Sequence, residues 1–196
     1  MPVYLLRGER ARNQDGLVEM KILVAYYSET GNTEKIARAI YEEAAKEHDV
    51  HLKRVNSVAA NDLSNYDVVF LGSPCHSTDL AAPVKTVLDA IPHSPKFQLA
   101  GFFTHATSAG GFKRWASKCI ASFQETSKEK KIDFAGYYNC QGAPSPPVQE
   151  FIKREVFTSA SAWQEYYREV RQHPTPEDLQ KAKKFAREML SPGSGV

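Results

Sequence analysis

The chain has 196 residues, with 25 lysines and arginines against 23 aspartates and glutamates, for a net charge of +2. That balance is too weak and too scattered for a nucleic-acid surface, and no run approaches the roughly 18 apolar residues of a membrane span. Hydrophobic content of 42%, charged content of 24% and three separated cysteines point to one globular domain in a reducing cytoplasm, with no disulfide framework and no secretory leader.

Residues 1–19 read as an N-terminal extension. Residues 3–6 are apolar enough for an edge strand, but the stretch after them is polar as far as Gly16. The patterned domain occupies 20–190. It opens with the apolar run Lys21-Ile-Leu-Val-Ala-Tyr-Tyr27, which passes directly into Ser28-Glu-Thr-Gly-Asn-Thr33. A helical pattern over 34–46 follows at once, with Ile36, Ala37, Ile40, Tyr41 and Ala44 on one face. Hydroxyls, a glycine and backbone N–H groups at the positive end of a helix dipole make an anion seat, and a phosphate is its expected occupant. The loop has neither the lysine of a triphosphate loop nor the G-x-G-x-x-G spacing, so a single terminal phosphate fits better.

Residues 50–55 alternate like a strand with one covered face, and 67–72 are continuously apolar, as a central parallel strand should be. Pro83 opens a helix with Val84, Val87, Leu88 and Ile91 on one side. The next strand is 99–104; Trp115, Ala116, Cys119, Ile120 and Phe123 mark another helix, and 132–138 a fifth strand. Residues 139–174 form an insertion before the last helix, with Trp163, Tyr166, Tyr167 and Val170 on one helical side. A segment of that length serves as a lid, pocket wall or subunit contact, or simply packs on the domain's flank. Thr175 caps the last helix, Pro176 takes its first position, and 191–196 are a tail.

Strands alternating with helices demand an α/β, doubly wound domain with a parallel sheet, right-handed crossovers and helices on both faces. Ligands in such sheets sit beyond the carboxyl ends of the strands, where strand order reverses. The loops at 28–33, 73–79 and 104–111 all fall at that edge.

The run Tyr27-Ser28-Glu29-Thr30-Gly31-Asn32-Thr33 resembles the S/T-x-T-G-x-T phosphate loop of the flavodoxin family, in the correct strand-to-helix turn. Gly72-Ser-Pro-Cys-His-Ser-Thr-Asp79, followed by Ala82-Pro-Val-Lys, is similar to the second flavin loop and its helix, and is especially close to the flavodoxin-like NAD(P)H:quinone oxidoreductases. Residues 104–111, ending in Ala109-Gly110-Gly111, are similar to the third loop. The resemblance implies a flavodoxin-like three-layer sandwich, with a five-stranded parallel sheet of order 2-1-3-4-5 binding FMN without a covalent link. It assigns Ser28, Glu29, Thr30, Gly31, Asn32 and Thr33 to the phosphate, Glu29 through its backbone N–H. Ser73, Pro74, Cys75, His76, Ser77 and Thr78 would edge the ring and ribityl chain. Thr104, His105, Ala106, Thr107, Gly110 and Gly111 would line its other side. Carriers of the family commonly stack a Trp and a Tyr on the ring, whereas this chain has His76 and His105 in the comparable loops, with Phe112 and Trp115 just after the third.

Cys75 reads either as a redox group or as a small filler beside the flavin; the residue six positions on is Ala81, so it is not a phosphatase nucleophile. Cys119 falls on the buried face of its helix. His76 and His105 serve either as proton donors to a reduced flavin or quinone, or as packing residues. No catalytic residue is assigned, and no histidine pair has metal-ligand spacing. Two activities fit: an electron carrier between redox partner proteins or small acceptors, placed first, and an FMN-dependent NAD(P)H:quinone-type oxidoreductase. A homodimer is compatible with both.

Overall fold

Alternation along the first strand sets the layering. In the computed structural model, which describes residues 19–107 and 116–191, β1 (Lys21–Tyr26) turns Ile22, Val24 and Tyr26 into one core and Leu23 and Ala25 into the other. The first core is closed by α1 (Asn32–Ala44) and α6 (Pro176–Leu190), which supply Ile36, Ala37, Ile40, Ala182, Phe185 and Ala186. The second is closed by α2 (Ala82–Ala90) and α3 (Ser117–Lys130), through Val84, Val87, Leu88, Cys119 and Phe123. Period-2 strands between two helical layers are therefore written directly in the apolar pattern.

The remaining strands are β2 (Asp49–Arg54), β3 (Val68–His76), β4 (Asp79–Leu80), β5 (Gln98–His105) and β6 (Asp133–Gln141). Five of them are parallel, in the order β2-β1-β3-β5-β6. This is the expected 2-1-3-4-5 order, because β4 is a two-residue antiparallel partner of β3 lying off the main path. The order reverses between β1 and β3, which places the switch point beside the 28–33 turn.

Gly72 has a packing reason. It pairs with Phe102 across β3 and β5, and the Phe102 ring lies where a Cβ would project. The sheet can close over that ring only with a glycine there.

β3 differs from its expected length. It does not stop at Gly72 but runs on through Ser73, Pro74, Cys75 and His76, then folds back through Ser77 and Thr78 onto β4. Cys75 pairs with Leu80 and His76 with Asp79. Both turn residues have positive φ, 46° at Ser77 and 76° at Thr78, the sign that a two-residue hairpin needs to match strand twist. The turn lacks the Asn-Gly signature, so it reads as loop in the sequence.

α6 matches its expected start. Thr175 Oγ1 accepts from the Asp178 N–H at 3.2 Å while Asp178 Oδ2 accepts from the Thr175 N–H at 2.7 Å, a full capping box with Pro176 behind it. The stretch between β6 and α6 folds as two helices, α4 (Pro146–Glu155) and α5 (Ala160–Val170). The possible strand at 3–6, the site residues Gly110 and Gly111, and the aromatic residues Phe112 and Trp115 lie outside the described residues.

Candidate functional site

Gly31 makes the first turn possible. At φ 84° and ψ −6° it stands at the N-cap of α1, a conformation glycine enters without a Cβ penalty. Its N–H donates to the buried Ser28 Oγ at 3.1 Å, which tightens the loop. No side chain among the described residues caps the first turn of α1. The N–H groups at its start therefore point out of the helix as donors for an anion, at the positive end of the dipole.

Side chains fix the frame around that turn. Thr33 Oγ1 and Thr104 Oγ1 lie 2.9 Å apart, both buried, tying the start of α1 to β5. The Asn32 amide nitrogen donates to Thr30 Oγ1 at 3.0 Å and to the Ala143 carbonyl at 2.8 Å, so both of its side-chain N–H groups are already engaged. Glu29 sends its carboxylate outward: Oε2 is 3.0 Å from His76 Nε2, and Oε1 accepts from the Tyr27 hydroxyl at 3.1 Å. The Tyr27 and His76 rings meet edge to face at 6.3 Å. Glu29 thus joins the first turn to the β3–β4 hairpin.

Charge around the turn is balanced. Glu34, in the first turn of α1, is paired with Arg38 at 2.7 Å and Arg54 at 2.9 Å. The Arg38 hydrogen bond, with the charges of both arginines, outweighs burial and holds the Glu34 carboxyl below the usual range. Arg54 also reaches the Ser28 carbonyl at 3.3 Å and lies 5.5 Å over the Tyr26 ring. A guanidinium at the end of β2 therefore stands beside the turn. The sequence reading missed it, although its place at the carboxyl end of a strand was a usable signal.

The hairpin is held from beneath. Ser73 is fully buried; its hydroxyl donates to the Pro74 carbonyl at 2.8 Å and accepts from the Ala81 N–H at 2.9 Å. Asp79 binds Lys85 at 2.8 Å, Ser122 at 2.5 Å and the Leu80 N–H at 2.7 Å. Burial works to raise its pKa, but the bonds from Lys85, Ser122 and Leu80 win and hold it below the ordinary carboxylate value. Pro74, Cys75, His76 and Thr78 are half-buried and Ser77 is exposed, so they form the accessible edge.

The third loop continues from β5. His105 is buried, with Nε2 at 3.2 Å from Asn139 Oδ1 and Nδ1 at 2.8 Å from the Thr107 hydroxyl. Burial pushes its pKa down, and the contacts with Asn139 and Thr107 only partly offset this. The ring is therefore neutral near pH 7, its Nε2–H donated to Asn139 and its Nδ1 accepting from Thr107. Both nitrogens face protein, which makes His105 a support for Thr107. His76 remains the accessible histidine of the pair.

Residues of the 139–174 segment, read from the sequence as a lid, pocket wall, subunit contact or flank packing, meet this edge. Gly142, just after β6, donates its N–H to the His105 carbonyl at 2.9 Å and lies so near Asn32 that a Cβ would meet that side chain at 3.0–3.2 Å. Gln141 Nε2 donates to the Thr107 carbonyl at 2.9 Å. Tyr166 of α5 donates its hydroxyl to the Ala106 carbonyl, and burial raises its pKa, keeping it a donor. Phe157, Trp163, Tyr166 and Tyr167 form one ring cluster behind that contact. Among the described residues no cluster of His, Cys, Asp or Glu could hold a metal ion, and no helix is long and apolar enough to cross a membrane.

A parallel sheet that gathers a helix N-terminus, a hairpin and a third turn beyond neighbouring strand ends is a doubly wound α/β domain with a ligand edge suited to an anion. Comparison with known proteins narrows this class. A family described as a flavodoxin domain matches residues 23–187. The flavodoxin-like domain-containing protein BilS of Clostridioides difficile is 32% identical over 186 residues, covering 90% of this chain and 100% of that protein. Among solved structures, oxidised flavodoxin 2 from Bacillus cereus superposes with a TM-score of 0.59 at 23% identity, covering 85% of this chain and 94% of that one. A WrbA-like flavodoxin from Agrobacterium tumefaciens gives 0.55 at 13% identity, covering 87% and 95%. The chain belongs to the flavodoxin family.

Proposed function

We propose that this chain binds FMN without a covalent link and shuttles electrons between redox partner proteins or small electron acceptors in the cytoplasm. The observation that carries the reading is the start of α1. Among the described residues no side chain caps its first turn, it follows a glycine at φ 84°, and its frame is tied to β5 by Thr33 and Thr104. Uncharged donors at a helix N-terminus suit a phosphate monoester, and the neutralised Glu34 and outward Glu29 remove the repulsion a dianion would meet.

In this reading Ser28, Thr30 and the backbone N–H groups of Asn32 and Thr33 hold the phosphate. Residues 74–78 and Ala106–Thr107 edge the ring, while Ser73, Thr104 and His105 work from beneath, since their polar atoms are already bonded within the protein. Bound FMN supplies one- and two-electron transfer chemistry; the chain supplies position and charge environment.

A second reading, an NAD(P)H:quinone-type oxidoreductase, is favoured by one feature: the aromatic wall of α5, bonded through Tyr166 to the third loop, can border a pocket for a planar substrate. Titrating flavin-free protein with FMN and with riboflavin tests the shared claim. FMN should bind at least roughly tenfold more tightly, a difference of about 1.4 kcal/mol from the phosphate; equal binding, or none, overturns it. Anaerobic addition of NADH or NADPH then separates the readings. Prompt loss of flavin colour marks the oxidoreductase, and reduction only by dithionite or a protein donor marks the carrier.

A further inference from the structure

Cys75 and Cys119 come from distant parts of the chain, the end of β3 and the first turn of α3, and meet beneath the hairpin tip. The two thiols share a hydrogen bond, and Cys119 Sγ lies 3.9 Å from the Thr78 carbonyl oxygen. The contact is held on both sides. Cys75 is paired with Leu80 in the hairpin, and Ser122, further along α3, bonds to Asp79 at 2.5 Å. Cys75 is half-buried and within reach of a small molecule, whereas Cys119 is fully buried. Nothing in the phosphate seat calls for two sulfurs at this point.

We propose that Cys75 and Cys119 are a redox-active dithiol that closes to an intramolecular disulfide on meeting a hydroperoxide. The Cys75 thiolate attacks a peroxide oxygen, the O–O bond breaks, and the departing hydroxide takes a proton to leave as water. Cys75 is then a sulfenic acid. The Cys119 thiol attacks its sulfur, the S–O bond breaks, a second water leaves and the S–S bond forms. Two thiols are oxidised, one hydrogen peroxide is reduced to two waters, and no electrons from a flavin are drawn. A small dithiol such as dithiothreitol reverses the bond by exchange.

The division of roles follows from accessibility, since Cys75 is half-buried and Cys119 buried, and the shared hydrogen bond works in the same direction. The bond with Cys119 lowers the pKa of Cys75 against its burial and the Asp79 charge, while the same bond and burial raise that of Cys119. The half-buried Cys75 sulfur is thus the nucleophile and the fully buried Cys119 resolves it. Closure ties the hairpin to α3 and so fixes one wall of the ligand edge.

The test is a peptide map of the reduced, full-length protein after equimolar hydrogen peroxide, followed by unfolding in urea and alkylation. Trypsin releases the three cysteines on separate peptides, 55–85, 119–128 and 132–153. The expected product is 55–85 linked to 119–128, abolished by dithiothreitol, with Cys140 alkylated throughout. Cys119→Ser should lose the link and accumulate roughly tenfold more dimedone adduct on Cys75 than the wild type. Equal adduct in both proteins, a link between two chains through Cys75, or unoxidised Cys75 overturns the proposal. The wild-type map decides alone if the variant fails to fold.

Discussion

Replacing Gly31 by alanine isolates the backbone contribution of the phosphate turn. Among the described residues nothing lies within 4 Å of the position a Cβ would take, so no steric clash from them enters the balance. What remains is the conformation: φ 84° is left-handed, which costs a residue with a side chain roughly 1–2 kcal/mol. Alanine also narrows the unfolded ensemble, which returns about 0.4–1 kcal/mol. A net loss near 1 kcal/mol follows, or about 2–4 °C in Tm for a domain of this size. Urea denaturation should show a lower midpoint at unchanged slope, and Gly31→Asn should lose less, because asparagine tolerates this region. If the turn relaxes toward negative φ, the N–H groups of Asn32 and Thr33 swing away, and FMN affinity should fall more than riboflavin affinity. A Gly31→Ala protein as stable as the wild type, with undiminished preference for FMN, would refute both the backbone argument and the seat built on it.

Asp79→Ala strips Lys85, Ser122 and the Leu80 N–H of their acceptor and should cost about 1–3 kcal/mol in urea melts. The Asp79 pKa is depressed by folding, so its stabilisation is present above the unfolded value of about 4 and is lost as pH falls through the lower folded value; that acid limb should shrink in the variant. Thr175→Ala removes the cap of α6 and should cost about 0.5–2 kcal/mol. The same variant should raise the Asp178 pKa, measurable by NMR titration, because burial opposes the Thr175 and His173 bonds that now hold it down. Cys140 is pushed up to about 12, by burial first and then the Asp178 carboxylate, which leaves a thiolate fraction on the order of 10⁻⁵ at pH 7. Iodoacetamide at neutral pH should therefore spare it in native protein and label it only after unfolding.

Much of this fold is local in origin. The apolar alternation of Ile22 to Tyr26, the continuous run of Val68 to Leu71 and the 3.6-period faces of α1 and α6 need only neighbours to be read. With right-handed crossovers they leave few alternatives to the observed strand order. The same holds for the seat before α1 and the cap at Thr175, each completed within a few residues.

The tertiary structure decided which polar groups are left for a ligand. Ser73, His105 and the Asn32 side chain all belong to site-like runs of sequence, yet their atoms are committed to Ala81, Asn139 and Ala143. The contact between Asn32 and Ala143 spans 111 positions, and Cys75 meets Cys119 only because the hairpin folds back toward α3. Sequence periodicity sets which side of an element is buried, because that depends on residues one turn or one pleat apart. Partnership across elements depends on strand register and helix placement, which are fixed only when all the layers pack together.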